Sequence, residues 1–169
     1  MGLKALSIAL FALLLMSGCG YHEVALRGPL AEANGVNVIV FANKSYRPGV
    51  EGTLARDLVD ELALRTGGRV LPGDQAQLEL TGAIVSYTRD PLSYTSTDTI
   101  REYNSEIKVQ AVLKEKLTQK VLWKGDLDES QTFPMNVNIA LQQNAEEAAI
   151  QAICRRLSGE IWQKISQQF

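Results

Sequence analysis

The amino-acid sequence predicts an α+β domain in which two helices pack on one face of a mainly antiparallel sheet of four to five strands. Three observations carry the prediction. Two segments repeat apolar residues at helical spacing, one early in the chain and one at its C-terminal end. Between them lie long segments that alternate apolar and polar residues, as half-buried strands do. The last two of these are joined too tightly for a crossover, so they are antiparallel by necessity, and the order β, α, β, β, β, β, α places both helices on one side of the sheet.

Residues 1–18 come first and have the plan of a secretory signal. Lys4 is followed by an apolar stretch from Ile8 to Met16, too short to span a bilayer, and then by small residues. An ordinary signal peptide or an uncleaved anchor would share the first two features. Here Ser17 and Gly18 instead abut Cys19, whose thiol is a candidate for diacylglycerol attachment, although Met16 stands where such boxes usually carry Leu. Acyl chains contribute roughly 0.8 kcal/mol per buried methylene, so a multiply acylated Cys19 would hold the protein on a membrane permanently. Gly20 follows, and no Asp occupies the second mature position, which favours outer-membrane sorting. Cleavage would leave about 150 residues, enough for one domain and too few for two ordinary ones.

Residues 19–35 contain Gly20, Gly28, Pro29, Asn34 and Gly35 with little periodicity, as expected of a lipidated tether. A single domain then runs over 36–169. Its first strand is expected at Val36 to Asn43, a β-branched run that also holds Phe41. Val50, Leu54, Leu58 and Leu62 predict the first helix, ended by Gly67-Gly68 where a left-handed cap is wanted. A short strand near Arg69 to Leu71 precedes the Pro72-Gly73-Asp74 turn. Ala76, Leu78, Leu80, Gly82 and Ile84 mark one face of a long strand continuing toward Tyr87, and the Ser/Thr-rich stretch from Pro91 to Asp98 reads as a loop. The next strand turns Ile107, Val109, Ala111 and Leu113 inward. A hairpin tip near Thr118-Gln119 leads into a return strand from Val121-Leu122-Trp123 to about Thr132.

The last helix shows a capping-box-like start at Asn144 and Glu147, with an onset one turn earlier also compatible. Ala149, Ile150, Ile153, Leu157, Ile161 and Ile165 form its apolar stripe, and Glu146, Gln151, Arg155 and Gln163 are expected to face away. Cys154 falls on the apolar stripe and, with Cys19 acylated, has no intramolecular partner, so a buried inert thiol is expected.

Candidate chemistry is sparse. His22 is the sole histidine and sits on the expected tether, three residues beyond the acylation site. A nucleophilic triad needs that imidazole in a rigid cleft. There is no His/Cys pattern for a metal and no glycine-rich phosphate or dinucleotide loop, so no cofactor is expected. Asp126, Asp128 and Glu129 are the remaining candidates for an acid/base pair in glycan hydrolysis. The chain carries a formal net charge of −2, which gives no basic surface for nucleic acid. One local exception surrounds the hairpin tip. Lys114, Lys116, Lys120 and Lys124 accompany a single acid, Glu115, and offer either edge protection for the strands or a small patch for an anionic partner such as a phosphorylated lipid.

With those residues on the page, the chain resembles the lipopolysaccharide-assembly lipoprotein family LptE in its shorter form. Cys19-Gly20-Tyr21 and Leu26-Arg27-Gly28 look like the family's start. The run from Val38 to Glu51, with Asn43 in its turn, resembles its strand, turn and helix start; Thr81 to Tyr87 followed by Pro91-Leu92-Ser93-Tyr94 resembles its central strand and loop. Glu102-Tyr103, Val121-Leu122-Trp123 and Asn144 to Ala148 continue the likeness. Gln119 departs from it, standing where Gly is often found before the hairpin Lys, and Glu23-Val24-Ala25 lengthens the spacing before Leu26.

The resemblance implies a non-enzymatic outer-membrane lipoprotein. Such a protein sits in the lumen of a large LptD-like β-barrel, helps that barrel assemble and contacts lipopolysaccharide on its way to the surface. A lipoprotein scaffold in another envelope export or efflux complex is the alternative, since related periplasmic domains share parts of the pattern. Mass spectrometry of the mature N-terminus should find an acylated Cys19; an unmodified residue there, or cleavage elsewhere, would remove the anchor.

Overall fold

The structure, a computed structural model, describes residues 29–167; the signal segment, Cys19 and His22 lie outside the described residues. In chain order the elements are α1 (Pro29–Glu32), β1 (Val36–Val38), β2 (Ala42–Asn43), α2 (Val50–Thr66), β3 (Leu78–Tyr94), β4 (Ile100–Glu115), β5 (Val121–Pro134) and α3 (Ile139–Gln167). The sheet runs β1-β3-β4-β5, with β2 also pairing with β3. β1 and β2 are parallel to β3, whereas β3, β4 and β5 form a long antiparallel meander. This is the expected α+β architecture, with a five-stranded mixed sheet that is largely antiparallel.

The helical stripes behave as their spacing requires. Val50, Leu54, Leu58 and Leu62 of α2 are buried, and Gly67 caps the helix in the left-handed region with φ 66°. On α3, Ala149, Ile150, Ile153, Cys154, Leu157, Ile161 and Ile165 are buried. α3 lies over β4 and β5, and α2 packs on α3 and over β1 and β2. The helices meet the sheet face formed by Leu78, Leu80, Ile84, Tyr87, Ile107, Val109, Leu113, Trp123 and Leu127 in one apolar core. Leu30 and Ala33 join that core, so residues placed within the expected tether already pack against the domain.

A row of small residues crosses the middle of the core face. Gly82 pairs with Ala111, and Ala111 with Gly125. The gap holds two rings. A Cβ on Gly82 would fall 2.6 Å from the Phe41 ring and collide with the Gln110 carbonyl oxygen, and one on Gly125 would fall 2.5 Å from the Trp123 indole. Phe41 explains why the first strand is not continuous. The chain leaves the ladder at residues 39–41 so that this ring turns in over Gly82, splitting the expected 36–43 strand into β1 and β2.

Other boundaries also differ from expectation. The strand expected near Arg69 to Leu71 is a single bridge from Val70 to Val36. β3 does not stop at Pro91 but pairs with β4 as far as Tyr94, because an edge position spares the proline the missing N–H. A bulge between Ile84 and Ser86 leaves Val85 as an extra, exposed residue. That insertion lets Ile84 and Tyr87, three apart, point into the same core. α3 starts at Ile139, because Asn138 accepts hydrogen bonds through Oδ1 from the Ala140 and Leu141 N–H groups and so caps the helix.

β5 is an edge strand, and its free side is guarded. The Met135 N–H donates to the Arg101 carbonyl, so the odd-numbered residues before it face β4 and the even-numbered ones face outward. Arg156 reaches from α3 and donates to the Ser130 carbonyl at 2.6 Å, while Gln131 Nε2 covers the Thr132 carbonyl at 3.0 Å. Pro134, the next outward residue, has no N–H to offer. Gly82→Ala should destabilise the fold by about 1 to 3 kcal/mol in urea denaturation, since overpacking here meets backbone as well as a ring; unchanged stability would show that the row of small residues is not needed.

Candidate partner-binding surfaces

The four hairpin lysines do not act alike. Lys114, on the sheet face opposite the helices, forms an ion pair with Glu79 at 2.8 Å and donates to Gln119 Oε1 at 3.0 Å. Lys116 donates to the Gly73 carbonyl. Lys120 and Lys124 are exposed and make no ion pair among the described residues, so they carry the patch's available charge. Gln119 occupies the left-handed position of this turn with φ 57°, the conformation that glycine adopts most easily. Its side chain offsets the strain by holding the Lys116 carbonyl at 2.7 Å as well as Lys114.

The face of the sheet away from the helices is uncovered and polar. The β4–β5 register aligns Lys108 with Asp128, Gln110 with Asp126 and Val112 with Lys124 across it, and Lys108 also pairs with Glu106 at 3.1 Å. The far end of the domain is different again. No charged residue lies between Glu129 and Glu146, and Val137, Ile139 and Leu141 are exposed there, the first two at 93% and 76%. The three candidate hydrolytic acids are not gathered on one face. Asp126 and Asp128 share the uncovered face, whereas Glu129 sits on the helix side and accepts from Arg156 at 2.8 Å. No group of three or more His, Cys, Asp or Glu suited to a metal occurs among the described residues, and no described helix is long and apolar enough to cross a membrane.

The most connected polar group is one the sequence placed on the wrong side. Glu146 does not face away; it is buried at the start of the core stripe, three and four residues before Ala149 and Ile150. Tyr87 donates to Glu146 Oε1 at 2.7 Å, Arg89 Nη1 donates to Oε2 at 2.6 Å, and Arg47 Nε stands 3.7 Å from Oε1. Ser105, fully buried on β4, bonds to the Tyr87 hydroxyl at 2.9 Å. Tyr87 spends its proton on Glu146, so Ser105 is the donor in that bond.

Around this carboxylate the rings are ordered as well. Tyr46 meets Tyr87 edge-on at 5.7 Å, the Arg89 guanidinium lies 5.2 Å from the Tyr103 ring, and Tyr103 stacks on Phe133. Arg47 is delivered by a turn in which Asn43 accepts from Ser45 and donates to both the Arg47 carbonyl and Glu51. Burial pushes the Glu146 carboxyl up, but the hydrogen bonds from Tyr87 and Arg89 and the charges of Arg89 and Arg47 outweigh it and hold the group below its ordinary value. Burial and Glu146 together push the Tyr87 phenol up, keeping it protonated. Cys154 is the expected buried thiol, pushed up to about 12 by burial and the neighbouring acids Asp57 and Glu147. It is therefore a poor nucleophile.

A largely antiparallel sheet with one helix-covered face and one open polar face defines the class: a small two-layer α+β domain. Its fold is similar to that of several solved bacterial lipoproteins. It is similar to the rare lipoprotein B from Shewanella oneidensis, with 17% identity over 74% of this chain and 92% of that one and a TM-score of 0.51. A minor lipoprotein from Acinetobacter baumannii matches at 17% identity over 79% and 92%, with a TM-score of 0.54. The uncharacterized lipoprotein B from Nitrosomonas europaea matches at 17% over 83% and 88%, with 0.55. At such identities these likenesses establish the fold. No curated protein sequence matches the chain. The family model LptE, lipopolysaccharide-assembly, matches residues 33–165, every element from β1 to nearly the end of α3, and the chain belongs to that family. It is thus a lipopolysaccharide-assembly lipoprotein of the cell envelope.

Glu146→Gln should cost about 1.5 to 3 kcal/mol at pH 7, nearer the lower figure because Arg47 and Arg89 are partly solvated. A carboxyl held below its ordinary value stabilises the fold above about pH 4.5 and loses that contribution as pH falls through its folded value. The gap between wild type and Glu146→Gln in denaturation curves should therefore narrow on acidification; a constant gap from pH 7 to pH 3 would show that the charge is not what stabilises.

Proposed function

We propose that this protein is the plug and assembly subunit of a lipopolysaccharide translocon, held at the outer membrane by acylated Cys19 and seated in the lumen of a large β-barrel partner. The observation that carries this reading is the family match over residues 33–165, which spans the domain rather than one motif. The surfaces are compatible with it. A polar, uncovered sheet face suits a water-lined wall, and the uncharged end with Val137, Ile139 and Leu141 offers apolar contact. The role needs no catalysis, and Glu129, engaged by Arg156, lies on the opposite sheet face from Asp126 and Asp128.

Lipopolysaccharide would be met by the hairpin lysines. Within that group the structure weights the residues unequally, because Lys114 is balanced by Glu79 and Lys116 is engaged with Gly73. Lys120 and Lys124 are therefore expected to dominate. Replacing all four lysines by Gln should weaken lipopolysaccharide binding, with a smaller effect at high salt, and Lys120→Gln with Lys124→Gln should account for most of the loss. Binding that is indifferent to these changes would remove the patch from the reading. The whole proposal is tested by purifying the tagged chain from detergent-solubilised membranes. A very large outer-membrane barrel should come with it, whereas recovery only with components of another export or efflux complex would overturn the assignment.

A further inference from the structure

The seam between α2 and α3 contains a recess of about 280 Å³. Arg56 and Asp57 line it from α2, and Gln151 and Arg155 from α3. The two arginines are exposed, and neither forms a hydrogen bond or an ion pair among the described residues. In this they differ from Arg47, Arg65, Arg89 and Arg156, each of which is committed to a carboxylate. Asp57 balances them only in part: Arg56 and Arg155 both draw its carboxyl down, but burial outweighs them. It makes no ion pair with either arginine, its Oδ2 is buried without a hydrogen-bond partner, and burial pushes its carboxyl up.

We infer that this recess is a binding site for a phosphate group, held between the guanidinium groups of Arg56 and Arg155. Two guanidinium forks, presented by two different helices, supply more donors than the two oxygens of a carboxylate can accept, whereas a tetrahedral phosphate offers three oxygens and up to two negative charges. The walls are polar, which excludes an acyl chain or an aromatic ring as the occupant. Gln151 adds an amide that can donate to a third oxygen. Asp57 is the one opposing charge on the wall, and Asp60, which also acts on Asp57, lies one turn away on α2. The site is on the helical layer, separate from the lysine hairpin, and stands whether or not the translocon assignment holds.

The test uses the full lipoprotein in neutral detergent, with ¹⁵N-labelled arginine, titrated with inorganic phosphate and with pyrophosphate. The Nε–H resonances of Arg56 and Arg155 should shift saturably and together, while those of Arg47 and Arg156 stay put. Arg56→Gln or Arg155→Gln should each weaken binding about ten-fold or more, the loss of a charge-assisted pair of hydrogen bonds. Asp57→Asn should tighten it, a change opposite in sign to that expected from structural damage. A second arm dopes the micelles with a phosphomonoester lipid. Saturation at lower phosphate in that arm assigns the group to a lipid headgroup, and equal response to free phosphate assigns it to a soluble phosphate. No saturable shift in either arm, or binding unaltered in both arginine variants, would overturn the site.

Discussion

The fold turns on a single buried carboxylate. Glu146 stands at the head of the α3 stripe, and through it four segments distant in sequence are fixed to one another: the Asn43 to Arg47 turn, β3 at Tyr87 and Arg89, β4 at Ser105, and α3 itself. Apolar packing between a helix and a sheet is permissive about sliding and rotation. Directional hydrogen bonds from Tyr87 and Arg89, with Ser105 behind Tyr87 and the Arg47 charge beside them, are not. The same contacts orient Arg89 over Tyr103 and Tyr46 against Tyr87, so the aromatic end of the core inherits its arrangement from one acid. The cost is a charge taken out of water, which only a full set of partners makes tolerable.

How much of this was legible depends on the distance over which each feature is determined. The stripe of α2, the inward residues of β4 and the hairpin at Thr118-Gln119 are set by near neighbours and by periodicity, and they could be read directly from the sequence. Glu146 could not be read as buried from its own chemistry, because its partners Arg89, Tyr87 and Arg47 all lie far away in the sequence, the nearest 57 residues off; its place three and four residues before Ala149 and Ile150 was the available signal. The continuation of β3 through Pro91 depends on that segment being an edge, which only the sheet order reveals. The break in the first strand likewise follows from Phe41 seeking the space above Gly82, a contact across 41 residues. The arginine recess needed both helices in place before Arg56 and Arg155 could be seen to share it.

The surface chemistry divides along the same lines. Counting lysines near the hairpin suggested a patch of four, but an ion pair with Glu79 and a backbone carbonyl occupy two of them. Counting arginines suggested nothing, yet Arg56 and Arg155 form no hydrogen bond or ion pair among the described residues and share one recess on the helical layer. Net charge therefore says little about where an anion would be received. What matters is which cations the fold has already spent.

The guarded edge of β5 has a consequence for the company this protein keeps. Any extended chain with unpaired backbone groups can add to an open sheet edge. A domain with a fourteen-residue open edge would be a template for any such chain. Arg156, Gln131 and Pro134 withdraw that invitation from Ser130 to Pro134, so at this end of β5 recognition is left to side chains, which can select a partner and release it, rather than to a main chain that would pair with any extended neighbour.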